Sequence, residues 1–257
     1  MADLRVMSFN IRVPSSRDGV NSIENRRARV SDLLHRAAPD LIGFQEVRDP
    51  IWDWLCETLG DDYCLLGCGR EAGRTGEGTP IAFRKRRFRL IDAECFWLSD
   101  TPDVAGSRYA ESDQSECPRM AVRLLLRERE TKGLLTVVNT HTDHLGQNAR
   151  LLELRQLAGT LRKSEGGRLL LGDLNALPDA PELREFLERT ADLGIRDVSA
   201  DSGVTFHGYG KWETSRKIDY ILTDLVSHGC RALAEKPQDG LFYSDHFALL
   251  ADLELPR

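Results

Sequence analysis

The sequence predicts an α/β protein in which two packed mixed sheets are flanked by helices. Short apolar runs of strand length alternate with longer segments that carry one apolar side. Between residues 80 and 140 several strand-like runs follow one another with no helix between them, so simple β–α–β alternation fails. No internal repeat, low-complexity tract or linker-like shift in composition interrupts the 257 residues, and residues 1–257 read as one domain.

Each element follows from its local pattern. Leu4–Asn10 alternates at period two, as a half-buried strand does. Ser22 can cap a helix running to about Ala37, with Ile23, Val30, Leu33 and Leu34 on one side and Pro39 ending it. Leu41–Gln45 is a short buried strand that delivers Glu46 to its end. A helix at Ile51–Leu59 and a strand at Tyr63–Leu66 follow. Residues 67–78 hold glycines at 67, 69, 73, 76 and 78 but lack the Gly-Lys-Ser/Thr ending of a P-loop. So many glycines make ordering costly in entropy, and the loop is expected to be mobile. Strands are predicted at Pro80–Arg84, Arg89–Phe96, Ala121–Arg127 and Leu134–Asn139. Ala149–Leu161 is an amphipathic helix with Leu151, Leu152, Leu154, Leu157 and Leu161 as core candidates. Arg168–Leu171 is a buried strand, Pro181–Arg189 a helix, and Ile218–Leu222 and Phe247–Leu253 are the last strands.

Lys and Arg number 35 and Asp and Glu 41, a net charge of −6. That balance argues against coating nucleic acid by charge alone. It does not exclude a nuclease, because a bound divalent cation changes the local field. No apolar run approaches the roughly 20 residues of a bilayer span. No export-type leader or membrane-inserting apolar hairpin is visible, so a cytoplasmic protein without stable membrane association is expected. The sequence specifies no oligomeric state. The cysteines at 56, 64, 68, 95, 117 and 230 lack a convincing disulfide framework. Cys64 and Cys68 have zinc-like spacing, but no matching His or Cys pair lies nearby, and reduced thiols are expected.

Polar groups suited to a cation or a phosphate close several apolar runs. They are Ser8-Phe9-Asn10, Gln45-Glu46, Asn139-Thr140-His141, Gly172-Asp173-Leu174-Asn175 and Ser244-Asp245-His246, with Asp219 inside the run 217–221. Singly these are weak signals. Asp-Xaa-Asn after a strand is usually a turn, and a strand-end histidine is as often structural as catalytic. Their combination and order carry the weight.

The stretches MSFNIR, PDLIGFQEV, VVNTHTDHLGQNAR, LLLGDLNALPD, KIDYIL and YSDHFAL resemble, in order and over nearly the whole chain, the metal-dependent endonuclease/exonuclease/phosphatase superfamily. That superfamily includes DNase I-like nucleases, exonuclease III-like repair enzymes, deadenylases, neutral sphingomyelinases and inositol polyphosphate 5-phosphatases. The resemblance implies a four-layer α/β/β/α sandwich. It implies that Glu46 holds a catalytic Mg²⁺, with Asn10 and Asp245 beside it and Mn²⁺ as a plausible substitute. Asp173 and Asn175 match the pair that orients the attacking water or supports the leaving group. His141 matches a phosphate-contacting histidine and His246 the histidine at the scissile phosphate. Asp219 matches the acid that orients His246, so a hydrogen-bonded Asp219–His246 pair is expected.

The chemistry is coherent on its own terms. A hard cation on oxygen ligands neutralises a phosphodiester's charge, and a histidine held by a carboxylate can move a proton near neutral pH. Asn139-Thr140-His141-Thr142-Asp143-His144 departs from the tyrosine-bearing segment of AP endonucleases, and Asp219-Tyr220 from the Asp-Arg pair of inositol phosphatases. The segment looks more like the deadenylase, 2′-phosphodiesterase and sphingomyelinase side. Segments FWLSDTP, DHLGQNAR and TFHGYG look like those of bacterial members with poorly defined substrates. The expected partner is a phosphate ester, a short, single-stranded or small phosphodiester such as a nucleic acid fragment or nucleotide. A phosphomonoesterase or a sphingomyelinase-like phospholipase is the alternative.

Further residues could shape the substrate. Arg70 and Arg74 in the glycine-rich loop could grip phosphate or stand as solvated charges. Glu77 could neighbour the metal or pair with either arginine. Arg119 could bind phosphate or make a structural pair. His144, Asn148 and Arg150 open a helix, where they could meet an anion or serve as caps. Phe206 and His207 could flank a base or pack conventionally. Trp97 follows an apolar strand and reads as core more than as a stacking platform.

Overall fold

Val6 and Met7 are neighbours on one strand, face opposite ways and are both fully buried. A layer must therefore cover each face of their sheet. The computed structural model, which describes residues Leu4–Leu255, supplies those layers. In chain order the elements are β1 (Leu4–Asn10), α1 (Ile23–Ala37), β2 (Leu41–Gln45), α2 (Ile51–Leu59), β3 (Tyr63–Leu66), β4 (Ile81–Arg84), β5 (Phe88–Trp97), β6 (Met120–Glu128) and β7 (Leu134–His141). There follow α3 (Gln147–Arg162), β8 (Gly167–Asp173), α4 (Pro181–Thr190), β9 (Arg196–Asp197), β10 (Asp219–Thr223), β11 (Ser227–Ala232) and β12 (Leu249–Leu253).

Two six-stranded sheets run in the orders β11-β12-β1-β2-β4-β3 and β5-β6-β7-β8-β10-β9. Between them lies one apolar layer that includes Val6, Leu41, Ile81, Val122, Val137, Leu169, Ile221 and Leu249. The alternate residues point outward. Met7, Phe9, Ile42 and Phe44 meet Val30 and Leu33 of α1 and Trp54 and Leu55 of α2. Val138, Leu170, Tyr220 and Leu222 meet Leu154, Leu157 and Leu161 of α3 and Leu183 and Phe186 of α4. Period two in the strands and 3.6 in the helices thus yield helix–sheet–sheet–helix layering.

Sequence and structure differ mainly at element ends. β8 continues to Asp173 because its last residues pair with both neighbours. α3 starts at Gln147 and not Ala149, because the Asp113 carboxylate accepts from the Asn148 and Ala149 amides and caps that end. β12 starts at Leu249, two residues after Phe247, whose amide donates instead to the Thr205 carbonyl. β11 carries the pattern Ser-His-Gly-Cys-Arg-Ala with no apolar alternation, and β9 is two residues long. Neither was predicted, since edge strands this polar or short leave no periodic signal.

Register places polar strand ends together. β1 and β2 run parallel with Asn10 opposite Gln45. β7 and β8 run parallel with His141 opposite Asp173, and antiparallel β10 brings Asp219 opposite Asp173.

Candidate active site

The row His141–Asp173–Asp219 on the second sheet faces Asn10 and Glu46 on the first. Behind it the sheets are bolted by amides: Gln45 Nε2 donates to Asn139 Oδ1 at 2.7 Å, and Asn139 Nδ2 donates to the Phe44 carbonyl at 2.7 Å. Residue 43 must be glycine for this to fit, since a Cβ there would stand 2.6 Å from Asn139 Oδ1.

Glu46 turns out of β2 in the left-handed region at φ 62°. Its Oε1 accepts from Asn10 Nδ2 at 2.9 Å and its Oε2 from the Val13 amide at 2.7 Å. Burial opposes its charge, but the Val13 amide, His246, Arg12 and Asn10 together hold its pKa below the usual carboxylate range. Asn10 Nδ2 also donates to Asp173 Oδ2 at 3.1 Å, so one amide links two acids. Asp173 accepts the Asn175 amide at 3.0 Å. Burial and then Asp219 push the Asp173 carboxyl up. Asn175 sits at φ 46° and donates its side-chain amide to the Thr142 carbonyl.

Asp219 and His246 form a buried pair, with Oδ2 2.9 Å from Nδ1. Burial disfavours the imidazolium, but Asp219 outweighs it and the histidine is raised to about 10. The other ring nitrogen, Nε2, points toward Asp173 Oδ2 at 3.7 Å. Asp173, Asp219 and His246 offer ligand atoms within 4.8 Å of one another, a group that can hold a metal among the described residues. Asp245 is pushed up by burial and, among charges, by Glu46. Its Oδ2 lies 3.7 Å from Arg12 Nη1. His141 is depressed by burial and by Arg119, which leaves a neutral imidazole at pH 7.

Glu46, His141, Asp173, Asn175, Asp245 and His246 line a cleft of about 360 Å³, with Arg12, Val13, Arg70, Glu77, Cys117, Arg119, His144, Phe206, Arg216 and Ile218 completing its wall. Arg70 Nη1 meets Glu77 Oε2 at 3.0 Å. Arg119 is 2% exposed, and its Nη2 reaches His144 Nδ1 at 2.8 Å while Nε and Nη1 have no hydrogen-bond partner. Phe206 packs edge-to-face with His246 at 5.0 Å, and the Arg216 guanidinium lies over the Phe206 ring at 5.0 Å. A larger hollow of about 710 Å³ lies on the outer side of residues 67–78, beside Arg48, Trp52 and Arg74. It lacks the clustered acids and histidines, so size does not mark the chemistry here.

The cleft therefore gathers Glu46, His141, Asp173, Asn175, Asp245 and His246, with Arg70, Glu77, Arg119 and His144 in its wall, while Asn10 and Asp219 hold Glu46, Asp173 and His246 by hydrogen bonds. Four expectations need correction. His207 is fully buried and packs against Phe247 at 4.1 Å, because the aromatic cluster of Phe242 and Phe247 encloses it. Arg74 lies over the Trp97 ring at 5.6 Å and faces the outer hollow. Asn148 is exposed at the start of α3, outside the cleft lining. Arg150 is taken by Glu182 at 2.8 Å. Trp97 is core, with Nε1 donating to the Arg70 carbonyl at 2.6 Å.

Sequence reasoning missed Arg12 and Arg216. Arg12 adopts φ 65°, which turns its guanidinium between Asp18 and Asp245. Its only sequence signal is a place two residues beyond Asn10. The glycine-rich loop is also less open than expected. Gly69, Arg70, Glu71 and Arg74 amides all donate within it, and Gly78 and Val47 exchange amide–carbonyl bonds with each other.

The model of the Endonuclease/Exonuclease/phosphatase family matches residues 7–246. The chain belongs to this family. Endonuclease/exonuclease/phosphatase members are divalent-metal-dependent phosphoesterase hydrolases. The endonuclease/exonuclease/phosphatase from Bacteroides vulgatus is 29% identical over 100% of both chains, with a TM-score of 0.89. The mannosyl-6-phosphatase of Bacteroides thetaiotaomicron VPI-5482 is 22% identical over 98% of this chain and 99% of its own, with a TM-score of 0.84. D. rerio TDP2, solved with a single-strand DNA product, is 18% identical over 96% and 97%, with a TM-score of 0.75. These likenesses support the DNase I-like four-layer sandwich. No curated protein matches the chain. Among the described residues no helix is long and apolar enough to cross a membrane.

Proposed function

We propose that residues 1–257 form one catalytic domain of a Mg²⁺-dependent phosphodiesterase that acts on a short, single-stranded or small phosphodiester. The observation that carries the reading is the buried Asp219–His246 pair, aimed at Asp173 across from Glu46 and Asn10. The donor set fits a hard divalent cation. Glu46 and Asp245 supply carboxylate oxygens, Asn10 an amide oxygen, and positive charge there would offset the burial and the Glu46 repulsion that raise Asp245. When bound, such a cation supplies charge neutralisation at the phosphate and stabilises the developing oxyanion.

The chain's own groups account for the rest. Asp219 fixes the His246 ring and keeps it cationic, so Nε2–H can donate to a phosphate oxygen. Asp173, raised and held by Asn10 and Asn175, is suited to accept a proton from an attacking water. Neutral His141 and the Arg119 guanidinium offer donors to the non-bridging oxygens, with Arg70 and His144 beside them. Phe206, backed by Arg216, gives a flat wall for the group attached to phosphorus.

A phosphomonoesterase is the second reading. It is favoured by Arg119 Nη1, a buried donor without a partner, which suits the extra charged oxygen of a monoester, while Nε faces Asp143 at 3.6 Å. The structural likeness to a mannosyl-6-phosphatase points the same way. Six free cysteine thiols fit a reducing compartment such as the cytoplasm. A panel of model phosphodiesters, phosphomonoesters, short oligonucleotides and phospholipids, assayed with Mg²⁺, Mn²⁺ and chelator, tests the proposal. Metal-dependent diester hydrolysis is expected. Turnover of monoesters or phospholipids alone would overturn it.

A further inference from the structure

We infer that Arg26 is a positioning residue for the divalent cation: its guanidinium ties the segment that leaves β1 to the segment that carries Asp245, and so sets the affinity of the cation site. The inference rests on the metal reading proposed above. Sheet pairing does not make this tie. The ladder between β1 and β12 runs from Leu4 opposite Leu253 to Ser8 opposite Leu249. Residues 10–13 and residues 243–246 lie beyond its end. Yet Asn10 and the Val13 amide, on the first of these segments, hold the Glu46 carboxylate. Asp245, on the second, must stand beside them if the three side chains are to share one ion.

Arg26 bridges that gap. It is fully buried in the first turn of α1. Its Nη1 donates to the Ile11 carbonyl at 2.8 Å and to the Tyr243 carbonyl at 2.9 Å, so one nitrogen joins the two segments. Its Nη2 donates to the Arg12 carbonyl at 3.2 Å and its Nε to the Asn21 carbonyl at 2.6 Å. Two further bonds run alongside. Ser244 Oγ donates to the Asn10 carbonyl at 2.7 Å, and Asn21 Oδ1 accepts from the Phe242 amide at 2.7 Å.

For stability alone this is a poor arrangement. A cation in the first turn of a helix opposes the helix dipole, and a buried charge is costly without a partner of opposite sign. All four hydrogen bonds of Arg26 go to neutral carbonyls. What the residue does supply is direction. A planar fork with donors on three nitrogens meets carbonyls on several sides at once, which an ammonium on one flexible stem cannot. Groups that hold the neighbours of metal ligands in this way are felt in the affinity for the metal.

Binding of Mn²⁺ to the whole protein, followed by the electron paramagnetic resonance of the free ion, tests this with no substrate present. Arg26→Lys keeps the charge and loses the fork, and its Kd for Mn²⁺ should rise about 10- to 100-fold. Turnover at saturating metal should change far less. Arg29→Lys is the matched control. Arg29 lies one turn further along α1 and donates to the Leu241 and Lys236 carbonyls at 2.6 and 3.1 Å, short of the segment that carries Asp245. That variant should lose melting temperature and keep its Mn²⁺ affinity. Ser244→Ala removes the bond to the Asn10 carbonyl and should also raise the Kd; it decides the matter if Arg26→Lys does not fold. An unchanged Kd in the deciding variant, or an equal rise in Arg29→Lys, would overturn the inference. Absence of Mn²⁺ binding by the unaltered protein would instead overturn the metal reading on which it rests.

Discussion

Glu46 combines two constraints that no substitution meets together: a left-handed backbone and a charge held by the Val13 amide and Asn10. Glu46→Gln keeps the shape and removes the charge. Metal-dependent turnover should fall by orders of magnitude while circular dichroism and melting temperature stay near wild type. Asp219→Asn breaks a different function, since an amide cannot hold the imidazolium. A kcat loss of about 10²- to 10⁴-fold with little change in KM is expected from steady-state kinetics. Single polar residues at strand ends were legible because a polar group closing an apolar run is conspicuous. Arg12 and Arg216 were not, because their aim depends on loop dihedrals. His207 misled because Phe242 and Phe247, which bury it, lie about 35 to 40 positions away in the chain.

At the scale of elements, α3 carries an acid whose state sets a pH dependence. Glu153 is fully buried, its Oε2 accepts the Asp143 amide, and its Oε1 has no partner. Burial pushes it up to about 8. An unfolded chain releases that proton near the ordinary value of 4.5, so between about 4.5 and 8 the folded state holds one proton more. Stability therefore falls as pH rises through this window, by up to about 5 kcal/mol from this group. Glu153→Gln should flatten that part of the profile and be the more stable form at pH 9, as urea melts at pH 5, 7 and 9 would show.

The 67–78 hairpin, read as an open loop, is held by close backbone approach. A Cβ at Gly69 would lie 2.0 Å from the Thr75 carbonyl oxygen, whereas one at Gly73 meets nothing nearer than 3.7 Å. Gly69→Ala should lower the melting temperature and cut kcat/KM several-fold by displacing Arg70 and Glu77. Gly73→Ala should match wild type in both measurements. Glycine content announced conformational freedom, but the use of that freedom for a cross-bonded hairpin depends on a bridge to Val47, 31 residues before Gly78.

For the whole molecule, charge decides what size of substrate the cleft can hold. The layered fold was legible because periods of two and 3.6 were both clean, and the closing of the cleft was not, because it rests on the Gln45–Asn139 bridge between sheets. With 35 basic and 41 acidic side chains the surface as a whole repels a polyanion. Within the cleft Arg70 is matched by Glu77, Arg12 by Asp18 and Asp245, and Arg119 Nε by Asp143 at 3.6 Å, which leaves Arg216 and the far end of Arg119 to meet phosphate. Binding about two phosphates of a single strand implies a slope of log K against log salt of roughly −1.4. Raising monovalent salt from about 50 to 200 mM should then weaken binding of a short single-stranded oligonucleotide by only about sevenfold. Fluorescence anisotropy at several salt concentrations, with the divalent ion fixed, measures the slope. A loss of about a thousandfold would mean about seven phosphate contacts and an extended nucleic-acid track, which this distribution of charge does not provide.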